Sequence, residues 1–182
     1  MTGWTAAQTA VILVAVLAIF SAVVSASLAY TLNQLAVRRD RRATAFAEAL
    51  AAVEDFAEMP YRIRRRRDSP DARHELGEEL SRIQSRLAYH QALIQVEAAA
   101  VAPIYAALVR AAKVEAGGQI KDAWQKPAPA TDAEMNIAVR YPRDEIDAAR
   151  GTCVHAMRSA LGRGCFRATQ AALPTANSDP SP

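Results

Sequence analysis

The sequence predicts an all-α protein, an N-terminal transmembrane helix continuing into a cytoplasmic antiparallel helical hairpin or small helical bundle. Three observations carry this expectation. The run from Ala10 to Leu32 holds no charged side chain, and none precedes Arg38. Arg38, Arg39, Arg41 and Arg42 follow that run directly, with Asp40 the only acid among them. The remaining body repeats apolar residues at helical spacings, and nowhere do β-branched residues alternate as in a strand.

Residues 1–9 are expected to form a short extracytoplasmic end, and residues 10–32 the membrane helix. At about 1.5 Å per residue the helix spans roughly 34 Å, enough for a hydrocarbon core of about 30 Å. Basic residues beside a membrane end are retained on the cytoplasmic side, so the N-terminus faces out and the body lies inside. Trp4 and Tyr30 sit where interfacial aromatic rings belong. The rival is a cleaved signal peptide, with Val24-Ser25-Ala26 as its processing site. A signal peptide needs a basic region before its apolar core, and none is present, so the retained helix is preferred.

Residues 33–59 read as a membrane-proximal cytoplasmic helix with Phe46, Leu50, Val53 and Ala57 on one stripe. It is expected to end at Met59-Pro60 in a break or kink, because the residue before a proline is biased out of the helical region. Residues 60–69 form an arginine-rich connection containing Arg64 to Arg67, whose like charges repel and favour exposure. Ser69-Pro70-Asp71 is a helix start: a capping hydroxyl, a proline suited to the first turn, and an acid at the positive dipole end.

Residues 70–116 carry the clearest pattern. Leu76, Leu80, Ile83, Leu87, His90, Ile94, Glu97, Val101, Ile104 and Leu108 alternate steps of four and three, a heptad seam with coiled-coil character. Unbroken, this helix would extend about 70 Å, against roughly 30 Å for the cytoplasmic part of the first. A kink or break between Ala100 and Pro103 is therefore expected, or a long unpaired portion. Gly117-Gly118 is expected to end it. Residues 117–141 form an irregular region, with Thr131 and Glu134 spaced for the capping box of a short helix. The C-terminal helix covers 142–162 with Ile146, Ala149, Cys153, Met157 and Leu161 inside, and 171–182 is expected to be a disordered tail.

The whole chain has 182 residues and a formal charge of +3, so its basic excess is local rather than global. Both cysteines, Cys153 and Cys165, are expected to be free thiols in a reducing compartment. Arginine far outnumbers lysine and alanine is abundant, a composition associated with GC-rich bacterial genomes, so the membrane would be a bacterial plasma membrane. At its MPYRIRRRRD turn and LAYHQALIQVE seam the chain resembles uncharacterised single-pass membrane proteins of actinobacteria. That resemblance implies an anchored helical protein and lends no functional residues.

No phosphate-cradling Gly-rich loop, HExxH, paired CxxC or GxSxG occurs, which weighs against an enzyme. Catalytic, cofactor-binding and metal residues are accordingly assigned to none. His90 and Glu97 are the polar members of the seam, separated by about 10.5 Å along one helix. That is too far for one metal, so each would need partners such as His155 or Arg158. They read more simply as register-setting residues. His74 and Glu78 form an ordinary solvated i, i+4 pair, and Cys153 is a core residue rather than a nucleophile beside His155. Arg64, Arg65, Arg66 and Arg67 could contact a partner or phosphates, although an exposed solvated run is the plainer reading.

The expected function is that of a membrane-anchored scaffold, adaptor or relay acting through helix–helix contacts, with a second copy or another helical protein as partner. Two alternatives stand beside it: a helical-bundle enzyme or ligand-binding protein around His90 and Glu97, and an arginine-mediated nucleic-acid tether.

Overall fold

A computed structural model describes residues 6–171, apart from 136, 138 and 139. The expected disordered tail lies outside the described residues save for Ala171, as does most of the short N-terminal end with Trp4. Among the described residues all regular structure is helical: α1 (Ala6–Arg64), α2 (Pro70–Glu97), α3 (Ala102–Gln125), α4 (Asp132–Met135) and α5 (Asp144–Ala171). The chain divides into two compact units, residues 1–40 and 41–182.

The first unit is the apolar part of α1. This helix is long and apolar enough to cross a membrane, and none of its apolar window is buried. Leu13, Leu17, Phe20, Val24 and Leu28 are all exposed. The hydroxyls of Ser21 and Thr31 donate to the carbonyls of Ala18 and Leu28, both at 2.9 Å. Each hydroxyl therefore satisfies its donor within the helix and needs no water for it.

The second unit has one core, built from the later half of α1 together with α2, α3 and α5. On α1, Phe46, Val53 and Ala57 are buried as the stripe requires, and Ala49, Ala52, Phe56, Met59 and Ile63 widen it. The expected end at Met59-Pro60 is corrected, because α1 runs on to Arg64 with Pro60 inside it. A proline in a helix interior costs about 3 kcal/mol. Here Met59, Pro60 and Ile63 are all fully buried, and that burial offsets the lost hydrogen bond.

Ser69 opens α2, its hydroxyl accepting from the Ala72 N–H at 3.2 Å. The heptad-patterned stretch 70–116 is divided into two helices at the interruption expected near Ala100–Pro103. α2 ends at Glu97, the Ala98 N–H closes its last turn on the Ile94 carbonyl, and α3 starts afresh at Ala102. Pro103 falls in the first turn of α3, where its missing N–H goes unnoticed. Gly117-Gly118 does not end α3, which continues to Gln125 because Ala116, Ile120 and Ala123 carry the buried face past the glycines.

The short helix of the irregular region is α4. Its Glu134 carboxylate accepts from the Ala130 N–H at 2.7 Å, one residue earlier than the capping box would place it. α5 begins at Asp144, and the Glu115 carboxylate of α3 accepts from the Ile146 N–H at 3.1 Å, capping α5 from another helix. Ile146, Cys153 and Met157 are buried and Ala149 and Leu161 pack against the same core, the inner face expected from the sequence.

Candidate functional site

The charged residues of α1 and α2 meet in three places. Arg41 pairs with Glu97 at 3.1 Å and Arg42 with the same carboxylate at 3.9 Å. Arg86 holds Asp55 at 2.6 Å, and Arg62 holds Glu79 at 3.2 Å. As residue numbers rise along α1, the partners' numbers fall along α2.

His90 and Glu97, the two polar seam residues, occupy different surroundings. His90 is 4% exposed, its Nδ1 has no hydrogen-bond partner, and its ring meets Tyr89 edge-on at 5.1 Å. Burial pushes its pKa down, Glu48 pulls it up and Arg86 lowers it again; the net shift is downward. A neutral imidazole in an apolar seam follows. Glu97 is partly exposed and takes its partners from α1, not from the α5 residues His155 and Arg158. The two therefore serve as separate contacts of α2 rather than as one site. Among the described residues no group of three or more His, Cys, Asp or Glu is placed to hold a metal ion.

An open groove of about 280 Å³ lies at the Glu97 end of this seam, lined by Arg41, Thr44, Glu48, Tyr89, Leu93 and Glu97. It is mixed in charge and open to solvent on one side.

The arginine run is not a free solvated patch. Arg66 donates to the carbonyls of Ile63, Ala123 and Lys126 at 2.9, 3.3 and 2.7 Å, and its guanidinium lies 5.3 Å from the Trp124 ring. Arg64 donates to the Pro127 carbonyl at 3.1 Å and Arg65 to that of Met135 at 3.4 Å. These side chains tie the end of α1 to the region after α3, leaving Arg67 exposed.

A further cluster had no motif to announce it. The Glu54 carboxylate of α1 accepts from Arg143 and Arg150, each at 2.5 Å, through its two separate oxygens. Burial raises the Glu54 pKa, but the hydrogen bonds and charges of the two arginines outweigh it and hold the carboxyl below its ordinary value. The available signal was the seven-residue spacing of Arg143, just before α5, and Arg150 within it, two helical turns apart.

His74 and Glu78 form an exposed i, i+4 pair at 3.2 Å, as their spacing implies. Cys153 is buried, and burial pushes its thiol up to about 11, so it is protonated and inert at neutral pH; His155 points away into solvent. Comparison with protein-family models, curated proteins and solved structures finds no match for this chain.

Proposed function

We propose that this protein is a membrane-anchored helical scaffold or adaptor. Its apolar N-terminal helix spans a bacterial plasma membrane with the N-terminus outside, and its second unit is an antiparallel cytoplasmic bundle that acts through helix–helix contacts. The observation that carries the reading is the exposure of Val16, Leu17, Ala18 and Ile19 together. At about 100° per residue these four positions cover all sides of the helix. A protein partner would cover one stripe, whereas lipid covers the whole circumference. The internally satisfied hydroxyls of Ser21 and Thr31 suit the same solvent.

The arginines after the apolar run support the inward orientation. The opposed order of the α1–α2 ion pairs supports a hairpin of those two helices, and the shared core supports a bundle completed by α3 and α5.

The test is a pair of C-terminal reporter fusions in a bacterial host, with alkaline extraction of the membranes. The cytoplasmic reporter is expected to be active, the periplasmic one silent, and the full-length chain to resist extraction. Periplasmic activity overturns the orientation. A soluble product lacking its first residues shows a cleaved signal sequence instead.

A further inference from the structure

The two ends of α2 differ in chemistry. Its beginning follows Arg67, Asp68 and Ser69, an ordinary polar turn. Its end leads into Ala98–Val101, and no charged residue occurs between Glu97 and Arg110. This second turn is not apolar because it is buried. Ala99, Ala100 and Pro103 are exposed, and Val96 is 84% exposed, the most open large hydrophobic among the described residues of the second unit. Tyr89, two turns earlier on α2, is also exposed. Turns facing water are normally made from polar residues that hydrogen-bond to it. Alanine reflects helix propensity and Pro103 the first turn of α3, but neither accounts for the exposed valine.

The same end of α2 is held to the chain next to the apolar run. Glu97 pairs with Arg41 and Arg42. Arg41 follows Val37, the last exposed large apolar residue of α1, by four positions. Four residues reach at most about 14 Å in any conformation. The apolar turn is thus ion-paired to a residue only four positions along the chain from the end of the apolar run. Arg38, Arg39, Arg41 and Arg42 supply cations at that level, where lipid phosphates would lie.

We infer that the α2–α3 turn, with Val96, Ala99, Ala100 and Pro103 at its surface, is a membrane-contact element resting on the bilayer interface. The inference rests on the anchored reading above. The bilayer would take up the apolar tip, and Tyr89 suits the boundary with its ring apolar and its hydroxyl wet. The charged α1–α2 turn would face the aqueous side.

The test uses the full-length chain in bilayers of phosphatidylcholine and phosphatidylglycerol, with a photo-cross-linking benzoylphenylalanine replacing Phe20, Asp68 or Ala100 in turn. All three positions are exposed, so none of the replacements disturbs the core. Lipid adducts are expected at 20 and 100, with several-fold fewer at 68. Adducts at 20 but not at 100 overturn the membrane contact and leave the anchor standing. Their absence at 20 overturns the anchor, and the inference with it. Equal adducts at 68 and 100 overturn the assignment to this turn, and a protein adduct at 100 replaces lipid by a second copy or another protein.

Discussion

Arg66 donates to the Lys126 carbonyl at 2.7 Å, and the same guanidinium reaches Ile63 on α1 and Ala123 on α3. The last carbonyls of a helix carry partial negative charge and lack partners within it. One planar cation thus caps the ends of two helices and holds them together, with Trp124 beneath it. What looks in the sequence like a binding patch contains a structural clamp.

Arg66→Ala is expected to lower the stability of the full-length protein by about 1–2 kcal/mol, from the loss of charge-assisted hydrogen bonds to carbonyls. Arg67→Ala, at an exposed position, should stay within about 0.5 kcal/mol of wild type. Arg66→Lys should recover less than half of the loss, since an ammonium lacks the planar fork that spans three acceptors. Denaturant titration of the three variants in one detergent checks the order. Equal effects at 66 and 67 would remove the distinction between them.

Glu54→Gln should destabilise by on the order of 1 kcal/mol at neutral pH, a figure kept small because the carboxylate is screened by solvent. Its folded pKa is depressed, so its stabilisation is present above the unfolded value of about 4.5. That contribution is lost as pH falls through the folded pKa. The gap between wild type and Glu54→Gln should therefore close on acidification below about pH 4.5. Melting temperatures across that range provide the measurement.

His90 acts in a different pH window. Its folded pKa is lowered by burial, so the folded state favours the neutral ring. Stability should be complete above the unfolded value of about 6.5 and fall as pH drops below it, since the unfolded chain then binds the extra proton. His90→Leu should remove that slope. It should also raise stability by about 1–2 kcal/mol at pH 7, because it replaces a buried ring nitrogen without a partner by apolar volume. A loss of stability would mean that Nδ1 has a partner in solution. Glu97→Leu should give no comparable gain, because Arg41 and Arg42 would lose their shared acceptor.

Tyr105 is fully buried and donates its hydroxyl to the Ala49 carbonyl of α1 at 3.0 Å. Tyr105→Phe should cost about 1 kcal/mol, the net value of one buried hydrogen bond. Burial raises the phenol's pKa far above its ordinary range, so ultraviolet titration should show one tyrosine that ionises only when the protein unfolds.

The helices were legible wherever burial and spacing agreed. The face of α5 through Ile146, Cys153 and Met157 could be read directly, and a length argument located the interruption near Pro103. Local rules failed where tertiary burial opposed them. Pro60 and Gly117-Gly118 are breakers by propensity, yet Ile63 beyond the first and Ile120 beyond the second bury enough surface to carry the helix onward. The Arg66 clamp and the Glu54 cluster join residues far apart in the chain. No spacing rule within one segment could say which carbonyls or which acid these arginines would meet.

The Glu54 cluster bears on how the protein is made. Its two bonds join residues 89 and 96 positions apart, linking the first helix to the last. A chain emerging from the ribosome completes α1 long before Arg143 and Arg150 exist, so Glu54 must wait without its two cations. Synthesis and assembly are thus out of phase. A nascent chain that stops before α5 presents an apolar helix face to whatever membrane, chaperone or protease is near.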